Sequence, residues 1–366
     1  MTPAPSSSHV FPGACRLTRL AKQGLKWGAW RAGLLPLLER ACASTGDDRL
    51  VILTYHHISA AGSKPHDNPF EGGVRADEFE SHIRFLASRW RVMDLAQATR
   101  RLIGGEPLPK RAVCLTFDDG YMDVYAHAYP VLRRYDVPAT AFVSTGYADT
   151  DELPWWAHLS RLIMTTREPA VDVRRLPQLN NNRLRREVSL PLGTRQDRLA
   201  SLTTLTEAMK HVASLAHPAI LAQLARRLNV TLRETAPNVW MRWEHIRELS
   251  RNGITIGAHT IHHPNLALLD VVEQRAEIVG AKRRLQQILR RPVDLFSYPF
   301  GLFDDNARAI VAQEFTAACG STHGANGPRT DRFALRRISM GWHRRWDFAF
   351  TLAFPGADAA PPGDGG

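Results

Sequence analysis

The chain has 366 residues and a mass of 41.0 kDa, with 47 Lys and Arg against 36 Asp and Glu, a formal charge of +11. Hydrophobic residues make up 44% and charged residues 23%, proportions of a globular protein with room for a buried core, so disorder as the dominant state is excluded. No run of about 18 apolar residues occurs, which excludes a polytopic membrane protein.

The positive charge is localised. Residues 1–49 carry an excess of +4 and residues 157–236 an excess of +7, and the rest is neutral. Of the basic residues 41 are Arg and six Lys, a bias of usage rather than of phosphate recognition. With no reading motif, no nucleic-acid partner is expected. Cys15, Cys42, Cys114 and Cys319 form no C-x-x-C pair, so neither a zinc ribbon nor a disulfide framework follows. Charges at Arg16, Arg19, Lys22, Lys26 and Arg31 interrupt any apolar leader, and a cytoplasmic protein without a cleaved signal is the expectation.

Taken in chain order, residues 1–49 read as a basic extension. Its stretch 16–43 mixes Leu17, Leu20, Trp27 and Leu34 with basic residues and suits either peripheral contact with a membrane surface or packing on the body of the protein. Pro36 and three glycines weaken a long helix there and favour the second. Short apolar runs then recur: Leu50–Tyr55, Ala112–Phe117, Ala139–Ser144, Ile254–Ala258, Asp294–Tyr298, Thr316–Cys319 and Ala334–Met340, with Arg91–Leu95 a weaker eighth. Their length and β-branched or aromatic content predict buried strands. Between them lie helical patterns, as in Ala76–Ser88, where Phe79, Ile83, Leu86 and Ala87 share a face, and in Leu268–Leu289. This alternation predicts an α/β fold with a parallel sheet, and seven or eight units favour a barrel. The barrel is expected over 50–156 and 237–350. A mostly helical insertion, with a helix from Arg198 to Leu228, is expected over 157–236, and a disordered tail over 351–366.

Chemistry-bearing residues gather at the strand ends, which in such a barrel share one face. The second strand ends in Thr116-Phe117-Asp118-Asp119-Gly120. Adjacent carboxylates cannot point the same way, so one can bind a cation while the other accepts a proton; a plain Asp-Asp-Gly turn is the alternative. After Ile254–Ala258 comes His259-Thr260-Ile261-His262-His263-Pro264. His259 and His263, four apart, can converge on one metal. With Asp119 they make a three-ligand set with open positions, which suits hydrolytic zinc and also non-haem iron. His262 reads as a bystander or as a support to the ligands. Tyr55-His56-His57 and Ser297-Tyr298-Pro299-Phe300-Gly301 close two further strands.

In this order, TFDDG, H-T-x-x-H-P and Y-P-F-G resemble the polysaccharide deacetylases of carbohydrate esterase family 4, with its NodB-homology domain, from about Leu50 to Met340 outside the insertion. The resemblance implies a distorted (β/α) barrel of seven or eight strands and metal-dependent removal of N-acetyl groups from a glycan, as in exopolysaccharide synthesis. It makes Asp118 the catalytic base and Asp119, His259 and His263 the ligands of a divalent metal, Zn2+ first among candidates. Many members carry an Arg that orients the base where this chain has Ser297, and Arg337 or Arg336 is the candidate replacement. They also place a Leu-x-His element late in the chain for the general acid; here only His343 lies there, without that context. Tyr55-His56 resembles the element of a permuted branch, which assigns the acid to His56 rather than His57. The turn at Phe300 and Gly301 is the candidate oxyanion site, and Trp155, Trp156 and Tyr298 are candidates for contact with the sugar. Two other functions are compatible with the same residues: a non-haem iron oxygenase, and a glycan-binding protein without turnover.

Overall fold

A computed structural model describes residues 49–62, 73–174, 176, 179, 189–232, 235–340 and 345–353. The stretch 16–43, nearly all of the basic extension, His343 and most of the expected tail lie outside the described residues.

Eight parallel strands form the main sheet: β1 (Leu50–Tyr55), β2 (Arg91–Val92), β3 (Ala112–Phe117), β4 (Ala139–Val143), β5 (Ile254–Ala258), β6 (Leu295–Ser297), β7 (Ala317–Cys319) and β8 (Ile338–Ser339). Their order is β7-β6-β5-β4-β3-β1-β8, with β2 added beside β3. The expected strand over 334–340 shortens to β8, because Leu335 leaves the ladder with β1 and bridges Cys319 on β7 instead. Backbone bonds Leu335 N–H to Ala318 O and Gly320 N–H to Leu335 O, each 2.9 Å, carry this bridge. They join the two sheet edges, so the barrel is closed by a strap rather than by a full strand pair.

The period of two along each strand sorts its residues. Leu50, Ile52, Ala112, Cys114, Phe142, Leu295, Cys319 and Leu335 meet in one apolar cluster that fills the barrel. Their neighbours Val51, Leu53, Val113, Leu115, Ala141 and Val143 belong to the outer core under the helices. Gly257 is needed at its place, because a Cβ there would lie 2.4 Å from the Phe142 ring inside the barrel. Thr54, Thr116 and Ser297 continue the inward series above the apolar fill, all buried.

Outer helices α1 (Ala76–Arg89), α2 (Leu95–Gly104) and α3 (Tyr129–Arg134) follow the first strands. The segment after β4 then builds a second, separate core from α4 (Trp155–Thr165), α5 (Arg195–Met209) and α6 (His217–Arg227), with Leu159, Leu162, Leu205, Met209, Ile220 and Leu224 buried together. Trp155 is already part of it, so this unit begins just before the expected residue 157. The single helix expected from Arg198 to Leu228 is two. Pro218 in the first turn of α6 starts a helix but cannot continue one. The chain rejoins the barrel through α7 (Trp243–Arg251), α8 (Val271–Leu289), α9 (Asp305–Glu314) and α10 (Arg345–Ala353).

Candidate active site

The carboxyl ends of the strands open into one cavity of about 550 Å³, within the usual range of ligand pockets, about 300–1,000 Å³. It is lined by His56, Asp118, Asp119, His259, His263 and Arg337 from the barrel, and by Trp155 and Trp156 from α4.

Asp119 Oδ1 lies 3.2 Å from His259 Nε2 and 3.3 Å from His263 Nε2, and one ligand atom from each residue falls within 4.8 Å of the others. The histidines converge on a loop, not on a helix. Thr260 (φ 64°) and His263 (φ 54°) are left-handed, and the His263 N–H donates to Thr260 Oγ1 at 3.0 Å, closing the turn. Asp119 is left-handed as well, at φ 76°. Non-glycine residues held in that region cost about 1–3 kcal/mol each and persist where surrounding structure enforces them. His259 Nδ1–H donates to the Ser297 carbonyl oxygen at 2.7 Å, which leaves the Nε2 lone pair facing Asp119. Asp119 Oδ1 and His263 Nδ1 are buried without a hydrogen-bond partner. Two imidazole nitrogens and a carboxylate oxygen crowded together lack a positive centre, and a divalent cation fits this donor set.

Asp118 is turned to another partner. Arg337 grips it with both arms, Nη1 to Oδ1 at 2.8 Å and Nη2 to Oδ2 at 2.7 Å. Nη2 also donates to Ser297 Oγ at 3.0 Å and Nε to the Gly320 carbonyl at 2.9 Å. Arg337 thus stands where the resemblance places an Arg on residue 297, and the small Ser297 leaves it room. Burial works against the charge on Asp118, but Arg337 first and His259 second outweigh it and hold the carboxyl below the ordinary carboxylate range. Asp119 is held well below that range, burial being outweighed by His263 and His259.

His56 follows the inward-facing residues 50, 52 and 54 and stands exposed at the mouth of the cavity. Crowding by the walls lowers its pKa from the usual imidazole value, against the pull of Asp119 and Asp118. His57 also lines the cavity but is engaged by other partners. Its Nδ1 sits 2.7 Å from Asp123 Oδ2 and its ring 3.7 Å from that of Tyr121. His262 stands outside the ligand cluster and pairs with Glu277 at 2.7 Å, whose carboxylate also accepts from the Ile261 and His262 N–H groups of the same loop at 2.9 Å.

The tryptophans divide. Trp155 is mainly part of the α4–α6 core, whereas Trp156 holds its ring 4.8 Å from that of His263 and donates from Nε1 to Tyr121 OH at 2.7 Å. Tyr298 does not offer a sugar-binding face: it is 0% exposed and stacks on Phe303 at 4.0 Å. It shapes the wall only. Phe300 is left-handed (φ 57°), with its ring 4.5 Å from that of His263, and Gly301 (φ 70°) lies so close to Ser321 that a Cβ could not fit. Sequence reasoning missed Ser297 as a partner of Asp118 and missed the lining supplied by α5. It read Ser297 as a lost Arg, and a solvent-facing helix looks like any other until its neighbour is known.

The sequence model of the polysaccharide deacetylase family matches residues 105–186 and 213–315, about half of the chain. The match runs through much of the expected insertion and passes over only 187–212 between its two parts. YxkH of Bacillus subtilis (strain 168), named as a polysaccharide deacetylase, is 21% identical over 294 residues, 80% of this chain and 71% of that protein. The poly-beta-1,6-N-acetyl-D-glucosamine N-deacetylase of Staphylococcus aureus (strain MSSA476) is 37% identical over 75 residues, only 20% of this chain and 26% of that enzyme. The fold is shared with the Streptococcus pyogenes deacetylase PplD in complex with acetate (TM-score 0.54, 18% identity, 81% of this chain and 94% of that one). It is shared equally with IcaB from Ammonifex degensii (TM-score 0.53, 18% identity, 84% and 97%). With that family's model spanning about half of its length and the same barrel around its cavity, the chain belongs to the polysaccharide deacetylases, hydrolases that act on the N-acetyl groups of carbohydrates.

Proposed function

We propose that this protein is a metal-dependent N-deacetylase of an N-acetylated glycan, with polymers of N-acetylglucosamine as its substrate class. The observation that carries the reading is the division of labour between the two adjacent carboxylates. Asp119 faces two imidazoles with an unpartnered oxygen, and Asp118 is clamped separately by Arg337. A non-haem iron oxygenase has no use for the second carboxylate. A glycan-binding protein without turnover has no use for a buried guanidinium that keeps it ionised. The substrate class follows the staphylococcal relative, whose name specifies poly-β-1,6-N-acetylglucosamine.

Asp119, His259 and His263 would hold a divalent ion, and two nitrogens with one oxygen suit zinc. Such an ion, when bound, supplies a Lewis acid that lowers the pKa of water to about 7 and polarises a carbonyl. Asp118, ionised and fixed by Arg337, accepts the proton of the attacking water. The Gly301 N–H is bonded to the Tyr298 carbonyl at 2.9 Å, so the Phe300 N–H is the donor offered to the carbonyl oxygen as it gains charge, worth about 3 kcal/mol. His56 gives its proton to the departing sugar nitrogen, and Trp156 provides a flat apolar face for the ring.

Acetate release from N-acetylglucosamine oligomers, measured after chelation and again after zinc is restored, tests the proposal. Wild-type protein should release acetate only with the metal. Asp118→Asn should keep the metal and lose about 10²-fold or more in turnover. Acetate release that survives complete chelation would refute metal dependence.

A further inference from the structure

One wall of the cavity is built by a helix that the family model passes over. Residues 187–212 separate the two matched parts, and α5 occupies most of that interval. Its sequence presents two stripes. Leu202, Leu205, Ala208 and Met209 are buried in the α4–α6 core. Thr203, Thr206, Glu207 and Lys210, spaced i, i+3, i+4 and i+7, line the active-site cavity.

The helix is held to the chemistry at its C-terminal end. Asn265 Nδ2, just past the His263 turn, donates to the Lys210 carbonyl at 2.8 Å, and Lys210 Nζ lies 5.6 Å above the Phe300 ring. Its other end is fixed by a capping box between Thr194 and Asp197. The stripe therefore has a set position relative to the ligand histidines.

Its charge is balanced. Lys210 Nζ pairs with Glu207 Oε1 at 2.5 Å, and across the cavity Arg337 neutralises Asp118. No unpaired fixed charge on this wall would select a uronate or a phosphate. Two hydroxyls, a carboxylate and an ammonium line this wall, and although Thr203 Oγ1 donates to the Leu199 carbonyl at 2.9 Å and so only accepts, together they make the mixture of donors and acceptors that uncharged sugar hydroxyls need.

We propose that the polar stripe of α5 is a binding subsite for a neutral sugar unit adjoining the one that is deacetylated, a specificity element of this chain added to the family's barrel. The proposal rests on the deacetylase reading for the location of the reacting unit. It is tested by binding rather than turnover, in metal-loaded Asp118→Asn protein, by calorimetric titration with the tetramer and the monomer of N-acetylglucosamine. Adding Thr206→Ala with Lys210→Met should lower the ratio of tetramer to monomer affinity about tenfold, the effect of losing one or two sugar hydrogen bonds. Thr203→Ala, a milder change at an exposed position, should lower the same ratio by a factor of about three. An unchanged ratio in both variants overturns the subsite. A lowered ratio in a protein whose wild type releases no acetate keeps the subsite and overturns the deacetylase reading, whereas acetate release with unchanged ratios does the reverse.

Discussion

Replacing Arg337 by Met tests the central electrostatic device of the cavity. Arg337 is 5% exposed and Asp118 2%, so neither charge is relieved by solvent. Met keeps the apolar stem of the side chain and deletes the guanidinium, leaving Asp118 with the Ser297 hydroxyl at 3.3 Å. Breaking a buried pair on one side costs about 3–5 kcal/mol, out of a total stability of about 5–15 kcal/mol. The midpoint of thermal unfolding should fall by on the order of 10 °C. Asp118→Asn alone strands the guanidinium instead. The double variant strands no charge, so it should be clearly less destabilised than the two single losses combined. Circular dichroism melts of all four proteins at matched metal content measure the cycle. An additive cycle, or an Arg337→Met midpoint within about 2 °C of wild type, would refute the account of the pair.

Three further outcomes are expected. Asp119→Ala and His263→Ala should each lose metal affinity beyond the about 10–100-fold typical of losing a supporting partner; full occupancy by elemental analysis in either variant removes that residue from the ligand set. His56→Ala should lose roughly 10²–10⁴-fold on an N-acetyl sugar and much less on an aryl acetate, whose leaving group needs no proton. His57→Ala, engaged with Asp123, should show no such split, and a split there would move the acid to His57. Ser297→Arg should crowd two guanidiniums onto one carboxylate and lower the unfolding midpoint, while Ser297→Arg with Arg337→Ser should restore it. A single variant as stable as wild type would show that residues 297 and 337 do not share one place.

What the sequence made legible was contiguous. Strand ends such as Phe117-Asp118-Asp119 and Ala258-His259 carry their chemistry within a few residues, and barrel topology sends them all to one rim. Arg337 was one of two adjacent candidates, and only register distinguishes them. Arg337 enters the mouth beside Thr54 and Thr116, whereas Arg336 packs against Gly324. Tyr298 looked like a sugar contact, yet strand alternation turns it into the outer core beside Phe296 and Phe303, where it is completely buried. The α5 wall was illegible for a different reason. Its stripe of Thr203, Thr206, Glu207 and Lys210 has the composition of any solvent-facing helix side, and only the second core, built with α4 and α6 on either side of it in sequence, decides that it faces a cavity.

The strap that closes the barrel has a bearing on how the protein is made. Arg337 follows the strap directly and is 219 residues from the carboxylate it neutralises. A ribosome delivers Asp118, Asp119, His259 and His263 well before it delivers the counter-charge of Asp118. Until residues 332–339 dock between β7 and β1, the barrel has two raw edges, and Asp118 cannot be buried without leaving a bare charge in its interior. Burial of Asp118 and closure of the sheet therefore depend on the same segment, and a nascent chain stalled before Arg337 holds Asp118, Asp119, His259 and His263 without the guanidinium that pairs the first of them.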